Sequence, residues 1–180
     1  MTWMQTYTGR AFTPLAPRVE DIDLLDIAHA LSNQCRFAGH TIRFYSVAEH
    51  SVYVSRVVPP ELALLALLHD AAEAYLVDVP RPIKPYLGGY DDMETHLMNF
   101  ICARFNVAHF APGYSAPRDW PIIEEADDAV LAAERDQVMS AAPREWAPLP
   151  PPPPGLFIAA LPPERAKAMF LERAKELGIS

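Results

Sequence analysis

Cysteine, clustered basic charge and long apolar runs are all scarce in this sequence. The two cysteines, Cys35 and Cys102, are far apart and form no C-x-x-C pair, which argues against a disulfide scaffold or a zinc ribbon. The net charge is −8 and no long run of lysine or arginine occurs, so a nucleic-acid polymer is not an expected partner. The longest apolar run, Leu62 to Leu68, has seven residues, whereas a membrane span needs about 20. We therefore expect neither a nucleic-acid polymer nor a membrane as a partner.

The length and composition fit one domain with a substantial core. The chain has 180 residues, 51% of them hydrophobic, and no basic segment followed by an apolar one at its start, which predicts a cytoplasmic protein. We expect an N-terminal arm at 1–21, a helical core at 22–140, a proline-rich connection at 143–155 and a C-terminal helix at 163–178. The connection contains five consecutive prolines, Pro150 to Pro154, and should be a stiff, non-helical spacer.

Helical spacing of apolar residues dominates the remaining pattern. No segment shows sustained alternation of apolar and polar residues, which argues against a β-sheet protein. Ser46 precedes Glu49 by three residues, the spacing of a capping box at the start of a helix. The expected helices span 22–34, 46–58, 62–75, 91–105, 121–139 and 163–177. The sequence therefore predicts an all-α bundle of about six helices.

The clearest chemical feature is the dipeptide His69-Asp70 at the end of the apolar run. Such a pair is weak evidence by itself, because it arises by chance in many sequences. Here it lies at the edge of a predicted core, where charged groups are costly unless they are paired or bound to a metal. Adjacent side chains on a helix diverge by about 100°, so both reach one ion only at a helix end or on a wide face.

His50 and Asp127 are the other candidate ligands. His50 lies on the apolar face of its predicted helix with Val47 and Val54; the alternative for a lone histidine there is a core residue bonded to a carbonyl. Asp127 shares a face with apolar residues, whereas Asp128 lies on the charged side of the same helix. Two imidazoles and two carboxylates form a mixed nitrogen and oxygen site, suited to Mn²⁺, Co²⁺, Fe²⁺, Zn²⁺ or Mg²⁺.

The order His50, His69-Asp70 and Asp127 resembles that of the HD-domain phosphohydrolases. Three strings carry the resemblance: Tyr45 to Ser51, Leu68 to Lys84, and Glu125 to Asp127. They look like the bacterial 5′-deoxynucleotidase branch and its phage-encoded relatives, which include deoxynucleoside triphosphate triphosphohydrolases. The likeness covers residues 22–140 and does not extend to the arm or the proline tract.

The resemblance implies roles for several further residues. Glu73 corresponds to the acid that orients or activates the attacking water, and its spacing from His69 and Asp70 fits the same helical face. Asp78 corresponds to a second acid that assists the leaving group; the alternative is a turn residue before Val79-Pro80. Arg36 and Phe37 match an Arg-Trp pair that contacts phosphate and base or sugar, with phenylalanine here in place of tryptophan.

Other charged and imidazole side chains are weaker candidates. Arg43 and Lys84 are phosphate candidates whose alternative is plain surface charge, and His40 is expected to line the pocket. Dinuclear members of the family carry extra histidines in the interval that holds His96 and His109. Neither lies in a recognisable family string, so we expect both to be ordinary surface or core histidines.

The resemblance thus implies an enzyme that hydrolyses a deoxynucleoside monophosphate to a deoxynucleoside and phosphate with a divalent metal ion. One alternative is the same chemistry on a triphosphate, releasing triphosphate. Another is a non-catalytic module that binds nucleotides or, through the proline tract, a partner groove. Relatives often assemble as dimers or rings, so the resemblance also implies a homo-oligomer.

Overall fold

The computed structural model describes residues 2–107 and 119–180 and is mainly helical there. The described residues contain two short strands and seven α-helices. The helices are α1 Leu24–Asn33, α2 Val47–Val57, α3 Ala63–Leu67, α4 Glu73–Leu76, α5 Tyr90–Arg104, α6 Trp120–Val138 and α7 Pro163–Glu176. The all-α expectation is confirmed. None of the helices in this part of the chain is long and apolar enough to cross a bilayer.

The N-terminal arm folds back on itself as a small hairpin. Strands β1 (Met4–Gln5) and β2 (Ala11–Phe12) pair antiparallel. Asp26 of α1 fixes the turn, because its carboxylate accepts hydrogen bonds from the Thr8 amide at 2.6 Å and the Thr8 hydroxyl at 2.9 Å. Phe12 is fully buried and stacks on Tyr75 with ring centroids 3.9 Å apart. The arm is thereby attached to the helical core.

Helix α2 runs through the centre of the bundle and packs against α1, α3, α6 and α7. Its start is the one that the sequence predicts, since Ser46 Oγ accepts a hydrogen bond from the Glu49 amide at 3.2 Å. It ends at Val57, before Pro59, because proline cannot continue a helix. Every side chain from Val47 to Ser55 is buried, so His50 lies deep inside the protein.

The predicted helix over 62–75 is wrong in one respect, because it is interrupted. Helix α3 ends at Leu67 and α4 begins at Glu73, with turns between them that contain His69 and Asp70. A continuous helix would point these adjacent side chains about 100° apart, and the break lets both face the same point. The interruption also explains why the described part has seven helices where about six were expected.

Residues 140–162, all of them described, contain neither helix nor strand, as the prolines predict. The segment nevertheless has fixed contacts with the bundle. Gln137 of α6 donates to the Leu156 carbonyl and accepts from the Ile158 amide, both at 2.9 Å. It leads into α7, which packs on α1 and α2.

Candidate metal centre

Three separate parts of the chain bring His50, His69 and Asp127 together. His50 lies on α2, His69 in the turn after α3, and Asp127 on α6. One ligand atom from each lies within 4.8 Å of the others, and the group can hold a metal ion. His50 Nε2 is 3.4 Å from His69 Nε2 and 3.1 Å from Asp127 Oδ1. Asp70 lies beside them, with Oδ2 3.2 Å from His69 Nε2 and 3.6 Å from His50 Nε2.

Both imidazole rings are oriented by a second hydrogen bond. His50 Nδ1 lies 2.6 Å from Glu134 Oε1, and His69 Nδ1 lies 2.7 Å from the Ala66 carbonyl. A carboxylate and a carbonyl only accept, so each Nδ1 carries the hydrogen and donates it. The Nε2 lone pair of each neutral ring therefore points into the cluster. Metal-binding histidines are oriented in this way by partners outside the ligand set.

The carboxylates of the cluster are held in their ionised form. Burial raises the pKa of Asp127, but its hydrogen bond to His50 and the nearby positive charges lower it below the ordinary value. Burial also raises the pKa of Asp70, but the neighbouring His69, above all, lowers it below the ordinary value. Asp127 Oδ1 is buried and lies 3.1 Å from His50 Nε2, while Oδ2 accepts from Arg81 at 3.1 Å.

A positive charge between Asp127 Oδ1 and His50 Nε2 stabilises both groups. Asp127 Oδ1 and the Nε2 lone pair of His50 are both acceptors only 3.1 Å apart, an arrangement that is unfavourable without a cation between them. Burial and Arg36 lower the pKa of His50, but Glu134 and Asp127 outweigh them and raise it to about 9, so the carboxylates around the ring favour a positive charge there. The nitrogen and oxygen donors present fit a divalent metal ion in the same position.

Glu134 is a site residue that the sequence reasoning missed. It is fully buried, accepts from the Tyr45 hydroxyl at 2.7 Å and from His50 Nδ1 at 2.6 Å, and pairs with Arg36 at 3.2 Å. Burial raises its pKa, but Arg36 and His50 lower it overall, so the group is a carboxylate. The available signal was its place seven residues after Asp127, two turns along the same face of α6.

Arg36, a predicted phosphate ligand, lies among the carboxylates of the cluster. Its side chain is only 12% exposed, with Nη1 3.6 Å from Asp70 Oδ2 and Nη2 3.2 Å from Glu134 Oε2. Nη2 also lies 4.0 Å from Asp127 Oδ1. The guanidinium thus borders the site where an anionic ligand of the metal would bind.

Phe37, the predicted aromatic contact, lies beside Arg36 but turns towards the proline-rich segment. The Arg36 Cζ atom is 5.5 Å from the Phe37 ring centroid, and the ring meets Trp146 edge-on at 6.5 Å. Phe37 and Ala38 both adopt left-handed backbone angles, with φ of 56° and 51°, which are strained for residues other than glycine.

Glu73, the predicted catalytic acid, is almost fully buried at the start of α4. Its Oε2 atom has no hydrogen-bond partner within the described residues, and Oε1 is 3.9 Å from Lys84 Nζ. Burial, and then the charges of Asp70 and Asp78, raise the pKa of Glu73 well above its ordinary value. A carboxyl group of this kind can take up and release a proton nearer neutral pH than an exposed one.

Asp78 lies just beyond the C-terminal end of α4, and the segment from Glu73 to Asp78 is held at both ends. Burial and the charge of Asp70 raise the pKa of Asp78, in spite of Arg36. Gln34 donates to the Glu73 carbonyl and accepts from the Asp78 amide, both at 2.9 Å. Between them Val77 has φ of 75°, a strained value for a β-branched residue. Gln34 was not predicted.

A cavity of about 540 Å³ opens next to His69, Asp70 and Asp127. Arg81 and Lys84 also line it. Both cations are paired with acids: Arg81 with Asp127 at 3.1 Å and Asp128 at 2.8 Å, Lys84 with Glu94 at 3.0 Å. Lys84 lines the cavity, its role as a phosphate ligand stays a prediction, and Arg81 is a second candidate that was not singled out.

The remaining predicted residues lie apart from the cavity. His40 and Arg43 are exposed and are not among the described residues that line it. His96 packs against Phe100 of α5 with ring centroids 5.1 Å apart. His109 lies outside the described residues.

The chain has relatives that align over almost their whole length. It is 37% identical to an uncharacterized protein of Escherichia coli (strain K12), YfdR, over 179 residues that cover 98% of this chain and 96% of that protein. It is 32% identical to an uncharacterized protein of Rhodobacter capsulatus over 189 residues, covering 95% and 93%. No family model matches the chain.

Proposed function

The chain belongs to the same protein family as YfdR, and from its metal centre we propose that it is an HD-type, metal-dependent phosphohydrolase acting on deoxynucleotides. One observation carries the proposal: His69 Nε2, Asp70 Oδ2 and Asp127 Oδ1 all lie within 3.6 Å of His50 Nε2, beside a cavity. The most favoured reaction is hydrolysis of a deoxynucleoside monophosphate to a deoxynucleoside and phosphate.

The cluster and its neighbours would divide the work of binding. His50, His69 and Asp127 would hold the ion, with Asp70 as a fourth ligand, and the ion would supply Lewis-acid chemistry that offsets negative charge on a phosphate. Arg36 stands 3.6 Å from Asp70 and contributes a second, fixed positive charge for the phosphoryl oxygens. Because Glu134 anchors Arg36, that charge is in place before substrate arrives.

Glu73 and Asp78 would handle the protons. The Glu73 Oε2 atom is buried and lacks a partner in the described chain, so it is available to accept a proton from the attacking water. The raised pKa of Asp78 suits a group that gives a proton to the leaving oxygen. This pair of acids, Glu73 buried and Asp78 half-buried, favours an enzyme over a module that only binds nucleotides.

The test is release of phosphate by the purified protein loaded with Mn²⁺ or Co²⁺. Deoxynucleoside monophosphates of all four bases and dATP are assayed in parallel, with phosphate and triphosphate measured separately. We expect phosphate from the monophosphates, and loss of at least about 100-fold in kcat for Glu73→Gln, the usual contribution of a general base. Glu61→Gln, at an exposed glutamate, is the matched control.

Two results would refute this assignment. The protein could hydrolyse none of these compounds with any of the divalent metals that fit the site. Alternatively, Glu73→Gln could retain the activity of Glu61→Gln. Triphosphate as the main product would instead identify the triphosphohydrolase reaction at the same centre.

A further inference from the structure

The cavity beside the candidate metal centre is lined in part by apolar and aromatic side chains, which we call the apolar wall. They are Met98 of α5 and Ile123 and Trp120 of α6, and charged side chains line the cavity as well. Met98 and Ile123 are buried, with 3% and 1% of their surfaces exposed, and Trp120 is half-buried. A wall of this composition does nothing for a phosphate group, which needs charge and hydrogen bonds.

Two residues of the apolar wall lie on the same face of α6 as the candidate metal ligand Asp127. Trp120, Ile123 and Asp127 occupy positions i, i+3 and i+7 of α6, so they lie along one face. At 1.5 Å per residue, the backbone of Trp120 is about 10 Å from that of Asp127 along the helix axis. A ligand whose phosphate lies at Asp127 would therefore extend past Ile123 and reach the indole ring.

The other aromatic candidate lies on a different surface. Phe37 borders Arg36 but packs edge-on against Trp146 at 6.5 Å, and neither ring is among the described residues that line the cavity. The aromatic contact that the resemblance assigns to Phe37 is thus available from Trp120 inside the cavity.

We propose, on the basis of the phosphohydrolase function above, that Trp120 binds the planar ring of the substrate by stacking. Met98 and Ile123 form the apolar surface beneath that ring. The substrate class is then a phosphate ester that carries a nucleobase, and Trp120 rather than Phe37 determines the preference for it over a simple sugar phosphate.

Binding to the Zn²⁺-loaded protein tests this without turnover. The chain has three tryptophans, so Trp3→Phe with Trp146→Phe leaves Trp120 as the sole indole fluorophore. In a Glu73→Gln background, we expect dAMP to quench its emission and 2-deoxyribose 5-phosphate, which lacks the base, to leave it unchanged.

Trp120→Ala should weaken dAMP binding by about 10-fold or more, since stacking is worth roughly 1–3 kcal/mol per base, and leave the sugar phosphate within about twofold. Trp120→Phe should retain most of the affinity, and Trp3→Ala, at a tryptophan 44% exposed, is the matched control.

Either of two results overturns the proposal. One is that Phe37→Ala or Trp146→Ala removes the dAMP affinity while Trp120→Ala behaves like Trp3→Ala. The other is that Trp120→Ala weakens dAMP and 2-deoxyribose 5-phosphate equally. Failure of the hydrolase assignment looks different: dAMP then still binds through Trp120, but no phosphate is released. An active enzyme without preference for nucleotides over the sugar phosphate keeps the function and contradicts the role of Trp120.

Discussion

Two adjacent residues of α2, Glu49 and His50, are both fully buried, yet their surroundings differ. Glu49 Oε1 accepts from the Tyr53 hydroxyl at 2.8 Å and the Ala160 amide at 2.9 Å, and Oε2 accepts from the Leu161 amide at 2.7 Å. We call this group, Glu49 with Tyr53 and the backbone at 160–161, the Glu49 clasp. It fastens the segment after the proline tract to the central helix.

The carboxylates in the cluster around His50 are less completely hydrogen-bonded than that of Glu49. Glu73 Oε2 is buried without a hydrogen-bond partner in the described residues, and Asp127 Oδ1 faces the His50 ring, whereas each oxygen of Glu49 accepts from a backbone amide. Leaving such groups unsatisfied is costly, and next to His50 the fold accepts a cost that it avoids next to Glu49. The difference teaches that a complete set of protein donors marks a structural acid, and open lone pairs mark an acid reserved for a ligand.

The largest effect on metal affinity should come from removing the negative charge of Asp127 in the cluster around His50. Asp127→Asn should lower the affinity for Mn²⁺ by more than about 100-fold, because loss of a partner outside the ligand set already costs about 10- to 100-fold. The neighbouring Asp128→Asn removes only a contact with Arg81, which is 64% exposed, and should change the affinity by less than about twofold. Titration calorimetry gives the affinities, and Mn²⁺ should raise the melting temperature of wild type and Asp128→Asn only. Equal affinities in the two variants would place the metal elsewhere.

A smaller loss of Mn²⁺ affinity is expected from changing Glu134, which contacts His50. Glu134→Gln keeps the size of the side chain but removes the charge that orients His50 and anchors Arg36, so Mn²⁺ affinity should fall by about 10- to 100-fold. Tyr45→Phe removes a single hydrogen bond to the same carboxylate and should cost about 1 kcal/mol of stability with little effect on the metal. If the two variants lose the same metal affinity, Glu134 has only a packing role.

The ligands were predictable from sequence because each breaks a local pattern. His50 and Asp127 are polar residues on apolar helix faces, and His69-Asp70 ends an apolar run. Glu134 repeats the face of Asp127, but without the fold nothing distinguishes a buried glutamate from one on the surface.

The break between α3 and α4 and the Glu49 clasp lay beyond local reasoning. Alanine and leucine dominate 62–75, and both favour a continuous helix, so only the packing around the centre interrupts it. Glu49 matched a capping box, yet its carboxylate binds amides 111 and 112 residues away along the chain. Contacts at such a separation depend on the tertiary fold alone.

Changing Glu49 should lower the stability of the fold and leave the affinity for the metal unchanged. Glu49→Gln offers one acceptor oxygen and a donor amide to three inward-pointing donors, so the free energy of unfolding should fall by about 1–3 kcal/mol. Urea denaturation measures this, with Glu61→Gln as a control expected to stay within about 0.5 kcal/mol. Mn²⁺ affinity should remain that of wild type. A loss of metal affinity as large as that of Glu134→Gln would show that the surroundings of Glu49 and His50 are not independent.

The smallest expected effect comes from two strained residues, one taken from each region. Val77, before Asp78, has φ of 75°, and Ala160, within the Glu49 clasp, has φ of 54°. Glycine at either position relieves strain of about 1–3 kcal/mol but adds flexibility to the unfolded chain, so the free energy of unfolding should change by less than about 1 kcal/mol. The Val77→Gly substitution also loosens the link between Glu73 and Asp78, and should lower kcat/KM about threefold or more, because rates fall when a positioned group is misplaced. Ala160→Gly should leave kcat/KM unchanged. If Ala160→Gly lowers kcat/KM as much as Val77→Gly does, the strain at Val77 has no special connection with the reaction and reflects chain packing in both places.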